Sequence, residues 1–155
     1  QPLTDGKTKS LEALAEEIFE LTTLSWRARS SQRDKSGVDL SESEFLSLDL
    51  LAKSEPRTVG EIQRGIGILP AQMSRVVRAL ESKFGRPLIQ CAINPDDKRR
   101  IDVRLTEAGR RAHQSFRFSR LSASVAILGG LRENDRSEFM RLLRLIRDSL
   151  AKQLP

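Results

Sequence analysis

Hydrophobic positions recur at helical spacing along most of the chain and alternate strictly in only one short stretch. Leu11, Leu14, Ile18, Leu21 and Ser25 fall at alternating spacings of three and four, with Glu12, Glu16, Glu17 and Glu20 elsewhere around the turn. This predicts an amphipathic helix from about Lys9 to Arg33. In "DLSESEFLSLDLLAKSEP", Ser41 and Glu44 form a capping-box pair and Pro56 marks the end, so a second helix is expected over 41–53. Thr58 and Glu61 repeat the signature ahead of a short third helix with Val59, Ile62 and Ile66 on its apolar face, which Gly65 and Gly67 should stop. Pro70 then suits the first turn of a fourth helix, where its missing N–H would have had no intrahelical partner.

At about 100° per residue, Met73, Val76, Val77, Leu80 and Phe84 share one stripe of this fourth helix. Ala71, Arg75, Arg78 and Ser82 point the other way, with Gln72 and Ser74 on the shoulders. Two helices joined by a short Gly-containing turn, the second bearing small residues, polar residues and arginines outside, fit a helix-turn-helix. The same pattern also fits an ordinary helical hairpin. The next segment separates the two: "PLIQCAI" reads as a strand, "NPDDKRR" as a polar turn, and "IDVRLT" sets Ile101, Val103 and Leu105 against Asp102 and Arg104. A β-hairpin directly after a helix-turn-helix is the winged-helix order. It also accounts for Lys98, Arg99 and Arg100 crowded on a hairpin tip, since phosphates would neutralise charges that otherwise repel.

"EAGRRAHQSFRFSRLSASVAILGG" reads as a long helix ending near Gly129 and Gly130, and a last helix puts Phe139, Leu142, Leu143, Ile146, Leu150 and Leu154 on one side. A winged-helix core is too small to cover apolar seams at both ends, whereas an isologous two-fold interface between chains would cover them. Pairing of the two terminal helices within one chain is the alternative. The expected fold class is mainly α with a small β-hairpin wing, a dimeric winged helix-turn-helix. Residues 1–40 would form an N-terminal dimerisation helix, 41–107 the DNA-binding lobe, and 108–155 the connecting and dimerisation helices.

With 155 residues, 38% hydrophobic and 31% charged, the chain is of a size and composition for one globular domain. The formal charge of +6 is unevenly placed: residues 63–120 hold thirteen Lys or Arg against five Asp or Glu. A basic centre between nearly neutral arms fits a chain that meets a polyanion with one face. No stretch approaches the ~20 apolar residues of a membrane span and "QPLTDGKTKS" lacks an apolar signal core, so a cytoplasmic protein with no membrane partner is expected. The chain does not begin with Met, so a short N-terminal segment is expected to precede it.

One Cys and one His exclude an internal disulfide and the usual structural zinc site. There is no Gly-rich phosphate loop, and His113, between Ala112 and Gln114, has no nucleophile or acid partner identifiable from sequence. No catalytic residue, metal or cofactor is expected, and the chain does not read as an enzyme. Asp96 and Asp97, beside Pro95, fit local turn hydrogen bonds better than paired catalytic carboxylates. Cys91 lies among Ile89, Ala92 and Ile93, which favours a buried, inert thiol.

The wing residues Asp97, Arg99, Val103, Leu105, Thr106 and Gly109, together with Pro70, Ser74, Arg75 and Leu80 of "LPAQMSRVVRALE", resemble the MarR family of bacterial transcription regulators. The likeness in layout spans about residues 11–150. Where the family often carries a basic residue late in the first wing strand, this chain has Cys91, Ala92 and Ile93, and "FGRP" lengthens the approach. The resemblance implies a homodimer bound to a palindromic double-stranded DNA operator, most often as a repressor released by a small-molecule effector or a chemical signal. Gln72, Ser74 and Arg75 would meet base edges, with Ala71 letting the backbone approach. Lys98, Arg100 and Arg78 would contact phosphates and Arg99 the minor groove. Asp97 would brace the wing by pairing with an arginine, Arg75 being one candidate. Trp26, Arg29, Phe45, His113 and Phe116 are the candidates for an effector pocket, and the resemblance also admits Cys91 as a redox switch. The other class open to such a chain is an architectural or RNA-associated winged-helix protein that binds by charge and shape.

Overall fold

Ser41 and Thr58 each open a helix by the reciprocal hydrogen bonds their spacing predicts. In the computed structural model, which describes residues 3–31 and 39–154, the elements run α1 (Leu3–Ser31), α2 (Glu42–Lys53), β1 (Arg57–Thr58), α3 (Val59–Ile66), α4 (Pro70–Ser82), a 3-10 turn (Lys83–Gly85), β2 (Ile89–Ile93), β3 (Ile101–Leu105), α5 (Glu107–Leu128) and α6 (Glu133–Ala151). At α2, Glu44 N donates to Ser41 Oγ at 3.2 Å and Ser41 N to Glu44 Oε2 at 3.1 Å. At α3, Glu61 N donates to Thr58 Oγ1 at 3.1 Å and Thr58 N to Glu61 Oε2 at 2.8 Å. Four otherwise orphaned N–H groups are thereby satisfied.

The chain divides into two compact units, Gln1–Asp39 and Leu40–Pro155. In the first, α1 begins six residues before the expected Lys9, because the polar "TDGKTK" carries no apolar periodicity to mark it. Its expected end at Arg33 lies outside the described residues. Leu11, Leu14, Ile18 and Leu21 are all exposed.

The second unit is built on Leu48, Leu51, Ile62, Met73, Leu80 and Val103, fully buried side chains from α2, α3, α4 and β3. Gly65 does not stop α3. It sits inside the helix, where a Cβ would lie 2.7 Å from Leu50 Cδ1, and so lets α2 and α3 pack closely. Gly67 ends the helix, in the left-handed region at φ 71°.

The sheet has three antiparallel strands in the order β1-β3-β2, one more than the expected hairpin. β1 is two residues long, too short to show alternation. β2 pairs with β3 without interruption from Ile89↔Leu105 to Ile93↔Ile101, so Cys91 and Ala92 sit regularly opposite Val103 and Asp102. The alternation expected along β3 fails near the tip: Ile101 is 51% exposed, whereas Asp102 is 7% exposed. The apolar core ends before the tip and leaves Ile101 uncovered. Asp102, opposite Thr58 of β1, is instead enclosed by polar partners: Asn94 Nδ2 donates to Oδ2 at 2.7 Å and Arg100 Nε to Oδ1 at 3.1 Å.

Leu88, just before β2, joins three elements. Its N–H donates to Leu80 O at 2.7 Å and its carbonyl accepts from Thr106 N at 3.1 Å. Thr106 Oγ1 donates to Pro87 O at 2.6 Å and accepts from Gly109 N at 3.0 Å, capping α5. A Cβ on Gly109 would lie 1.9 Å from Leu88 O, so only glycine allows this approach. The Leu-Thr…Gly portion of the wing pattern therefore has a packing cause. Glu55 adds a second clamp, since Leu105 N donates to its Oε2 at 2.8 Å and Arg110 of α5 pairs with its Oε1. Burial acts to raise the Glu55 carboxyl, but the Leu105 N–H, the Arg110 guanidinium and the charge of Arg104 outweigh it and hold the pKa below the ordinary 4.5.

Gly129 closes α5, as expected. No residue of α6 is buried; Phe139, Leu142, Leu143, Ile146 and Leu150 are 38–56% exposed, and Leu154 lies past the helix end.

Two stability predictions result. Gly109→Ala should lower unfolding free energy by about 1–3 kcal/mol through overpacking. Gly129→Ala, whose Cβ would meet nothing closer than 3.4 Å, should change it by less than about 0.5 kcal/mol; urea unfolding measures both. Because folding depresses the Glu55 pKa, its contribution is present above pH 4.5 and is lost as pH falls through the lower folded value. Glu55→Gln should therefore cost about 1–3 kcal/mol at pH 7, and in urea titrations the gap to wild type should narrow as pH falls below the ordinary 4.5.

Candidate nucleic-acid interface

The α4 stripe meets the core through Met73, Val76 and Leu80, which turns the opposite face outward. Ala71, Gln72, Ser74, Arg75, Arg78 and Ser82 are all exposed. Several are already committed to the helix: Gln72 Oε1 accepts from Leu69 N at 3.1 Å, Ser74 Oγ donates to Pro70 O at 3.2 Å, and Arg78 Nε to Ser74 O at 3.3 Å. The first bond fixes the Gln72 amide so that its NH₂ group is the part left to recognise a ligand. Among the described residues no ion pair involves Arg75.

The tip of the β2–β3 hairpin is organised by Asn94, a residue to which the sequence reading gave no role. Its Oδ1 accepts from Asp96 N at 2.8 Å and Asp97 N at 2.9 Å. An Asn ahead of Pro-Asp-Asp is a recognised turn former, so this signal was available in the sequence. Asp97 Oδ1 accepts from Arg99 N at 3.0 Å and its carbonyl from Arg100 N at 2.9 Å. Asp97 thus shapes the turn; among the described residues no ion pair joins it to Arg75 or another arginine. A short loop brings its carboxylate nearest to backbone N–H groups of its own turn.

The three basic residues of the tip part company. Lys98 and Arg99 are exposed, and among the described residues neither enters an ion pair. Arg100 folds back, its Nε on Asp102 Oδ1 at 3.1 Å and its Nη2 3.6 Å from Glu61 Oε1 of α3. Of the expected phosphate contacts, Lys98 and Arg78 face solvent, whereas Arg100 is engaged within the lobe.

A second cluster joins α2 to α5. The Phe45 and His113 rings stack with centroids 5.4 Å apart, and Phe116 lies 4.7 Å from Phe45 with the Arg120 guanidinium over its face. His113 has the acid partner that the sequence did not reveal: Asp49 Oδ1, on α2, is 2.9 Å from Nε2. A contact sixty-four residues apart in the chain leaves no local spacing to read. Burial acts to raise the Asp49 carboxyl, but bonds from Lys53 and His113 outweigh it and hold the pKa below the ordinary value. Beside the cluster, a cleft of about 580 Å³ is lined by Arg110, His113, Gln114, Arg117 and Phe118, among others. Three of the five expected pocket residues, Phe45, His113 and Phe116, are thus brought together. Trp26 is exposed on α1, in the other unit, and the Arg29 side chain lies outside the described residues.

Cys91 is half-buried, and desolvation, followed by the nearby Glu81 carboxylate, pushes its thiol up to about 11. Such a shift favours the thiol over the nucleophilic thiolate at neutral pH. Among the described residues no group of three or more His, Cys, Asp or Glu is placed to hold a metal ion, and no helix is long and apolar enough to cross a membrane.

No protein-family model and no curated protein sequence matches the chain. Solved structures do. A MarR family protein from Bacillus stearothermophilus superposes with TM-score 0.75 at 19% identity, over 95% of this chain and 97% of that one. A variant of S. aureus MepR bound to an oligodeoxyribonucleotide gives TM-score 0.61 at 17% identity, over 88% and 96%. The PcaV transcriptional regulator from Streptomyces coelicolor, in complex with its natural ligand, gives 0.58 at 20%, over 88% and 91%. The chain has the winged-helix fold of these MarR-type structures, mainly helical with a small sheet.

Proposed function

We propose that this chain is a MarR-type transcription regulator: a homodimer that binds a palindromic DNA operator sequence-specifically and is released, as a repressor, by a small molecule. One observation carries the reading. Arg75, Lys98 and Arg99 stand exposed, outside any ion pair among the described residues, on the recognition helix and wing tip that a winged helix presents to DNA. The DNA-bound MepR variant, sharing the fold over most of its length, supports the partner. In this reading Gln72, Ser74 and Arg75 meet base edges beside the small Ala71, Arg78 and Lys98 hold phosphates, and Arg99 enters the minor groove. Residues 41–107 form the DNA-binding lobe, and 1–40 and 108–155 supply dimerisation. The exposed apolar residues of α1 and α6 support a two-fold interface, which would cover them. The effector is a small molecule held near Phe45, His113 and Phe116; the ligand-bound PcaV supports the presence of an effector.

Arg75→Ala should weaken binding to an operator selected from random DNA by about 1–3 kcal/mol and affect unselected DNA much less. Fluorescence anisotropy with unrelated competitor DNA at physiological salt measures both; equal losses would make Arg75 a phosphate contact. Failure of the wild type to survive competition would instead favour binding by charge and shape alone. Joint replacement Leu143→Glu and Ile146→Glu should convert the dimer to a monomer in sedimentation velocity with its far-UV circular dichroism retained. A well-folded dimer in that variant would remove α6 from the interface.

A further inference from the structure

A chain of polar contacts runs from the start of α3 to the wing tip. Glu61 caps α3 through Thr58 with Oε2 and offers Oε1 to Arg100 Nη2 at 3.6 Å. Arg100 Nε donates to Asp102 Oδ1 at 3.1 Å, and Asp102 Oδ2 accepts from Asn94 Nδ2 at 2.7 Å. Asn94 Oδ1 then holds the N–H groups of Asp96 and Asp97, and Asp97 that of Arg99. The backbone closes the same loop, with Asn94 N donating to Arg100 O at 2.8 Å. The hydrogen bond from Thr58 N, followed by the charges of Arg100 and Arg57, keeps the Glu61 carboxyl below its ordinary pKa, so it is ionised where the protein works.

Burial sets the weight of each link. The Glu61–Arg100 pair is partly exposed, at 37% and 41% of the side chains, and such a pair contributes little by itself. The Asp102 side chain is only 9% exposed and makes two charge-assisted bonds, so loss of Arg100 would leave a nearly buried carboxylate with one amide partner. Arginine suits this place because its planar fork donates through Nε to Asp102 while Nη2 stands within ion-pair distance of Glu61, an arrangement a lysine ammonium on a flexible stem does not reproduce.

We infer that Arg100 is a positioning residue, a strut that locks the wing tip to β3 and α3 so that Lys98 and Arg99 are presented to DNA at a fixed angle to α4. The inference rests on the proposed DNA-binding function and changes the role of one of its residues from phosphate contact to scaffold.

The two roles predict effects of opposite sign. If Arg100 held a phosphate, Asp102→Asn would free its charge, remove a negative one, and tighten DNA binding; Arg100→Lys would bind like wild type. As a strut, Arg100→Lys and Asp102→Asn should each weaken operator binding about tenfold. The double variant should be no weaker than either single one, as for members of one network. The slope of log affinity against log salt should stay at its wild-type value, whereas Lys98→Ala should lower it by about one unit.

A readout without DNA separates the strut from the functional reading. Amide hydrogen exchange followed by NMR should quicken about tenfold at Asp96, Asp97 and Arg99 in both single variants, with the α4 amides unchanged as the control for folding. Unchanged exchange at the tip, or an Asp102→Asn variant that binds as tightly as wild type or more so, overturns the strut. Wild-type protein without operator specificity overturns the functional reading instead, and the exchange result still decides whether the strut exists.

Discussion

The backbone of Leu88 is the joint on which the second unit depends. Its N–H is held by the last turn of α4 and its carbonyl by the first residue of the α5 cap, while its side chain is buried. α4, the wing sheet and α5 are therefore referenced to one residue, and Gly109 lets α5 approach it closely. Packed interfaces of this kind do not deform continuously. The angle between α4 and the base of the wing sheet is consequently a property of the core, while the tip is held by the contacts of its own hairpin.

Around that joint the charges are sorted. Carboxylates that are buried or nearly so each hold a basic side chain: Glu44 holds Lys83 and Glu55 holds Arg110, from distant parts of the chain, and Asp102 holds Arg100, two residues away on the same hairpin. A nearly buried carboxylate needs such a partner, because an unpaired one costs several kcal/mol. Arg75, Lys98 and Arg99 remain exposed, on α4 and the wing tip. The excess of thirteen basic over five acidic residues in the middle of the chain thus overstates the positive surface, since part of it is consumed inside the lobe.

The Phe45–His113–Phe116 cluster ties α2 to α5, and Arg110 both lines the neighbouring cleft and pairs with Glu55, whose other oxygen accepts from β3. Cleft and wing sheet therefore share a side chain.

By itself the sequence determined what depends on neighbours a few residues apart. Capping boxes at Ser41 and Thr58, the Pro70 start, the α4 stripe, the paired wing strands and the Glu107 start of α5 all rest on contacts within a turn or a hairpin, and each was legible. The outward face of α4 followed because burial of one stripe dictates the other. Only the tertiary structure decided which charges remain available. Arg100 belongs to the same basic run as Lys98 and Arg99, and nothing in that run says that Glu61, thirty-nine positions earlier, will stand beside it. Asp102 reads as a solvent-facing strand position until the hairpin closes and Asn94 and Arg100 enclose its carboxylate. Asp49 and His113 meet only because α2 packs on α5. Periodicity along a chain specifies which faces must be buried; it carries no record of which distant side chains those faces bring together, and that pairing sets the charge and the reach of the site.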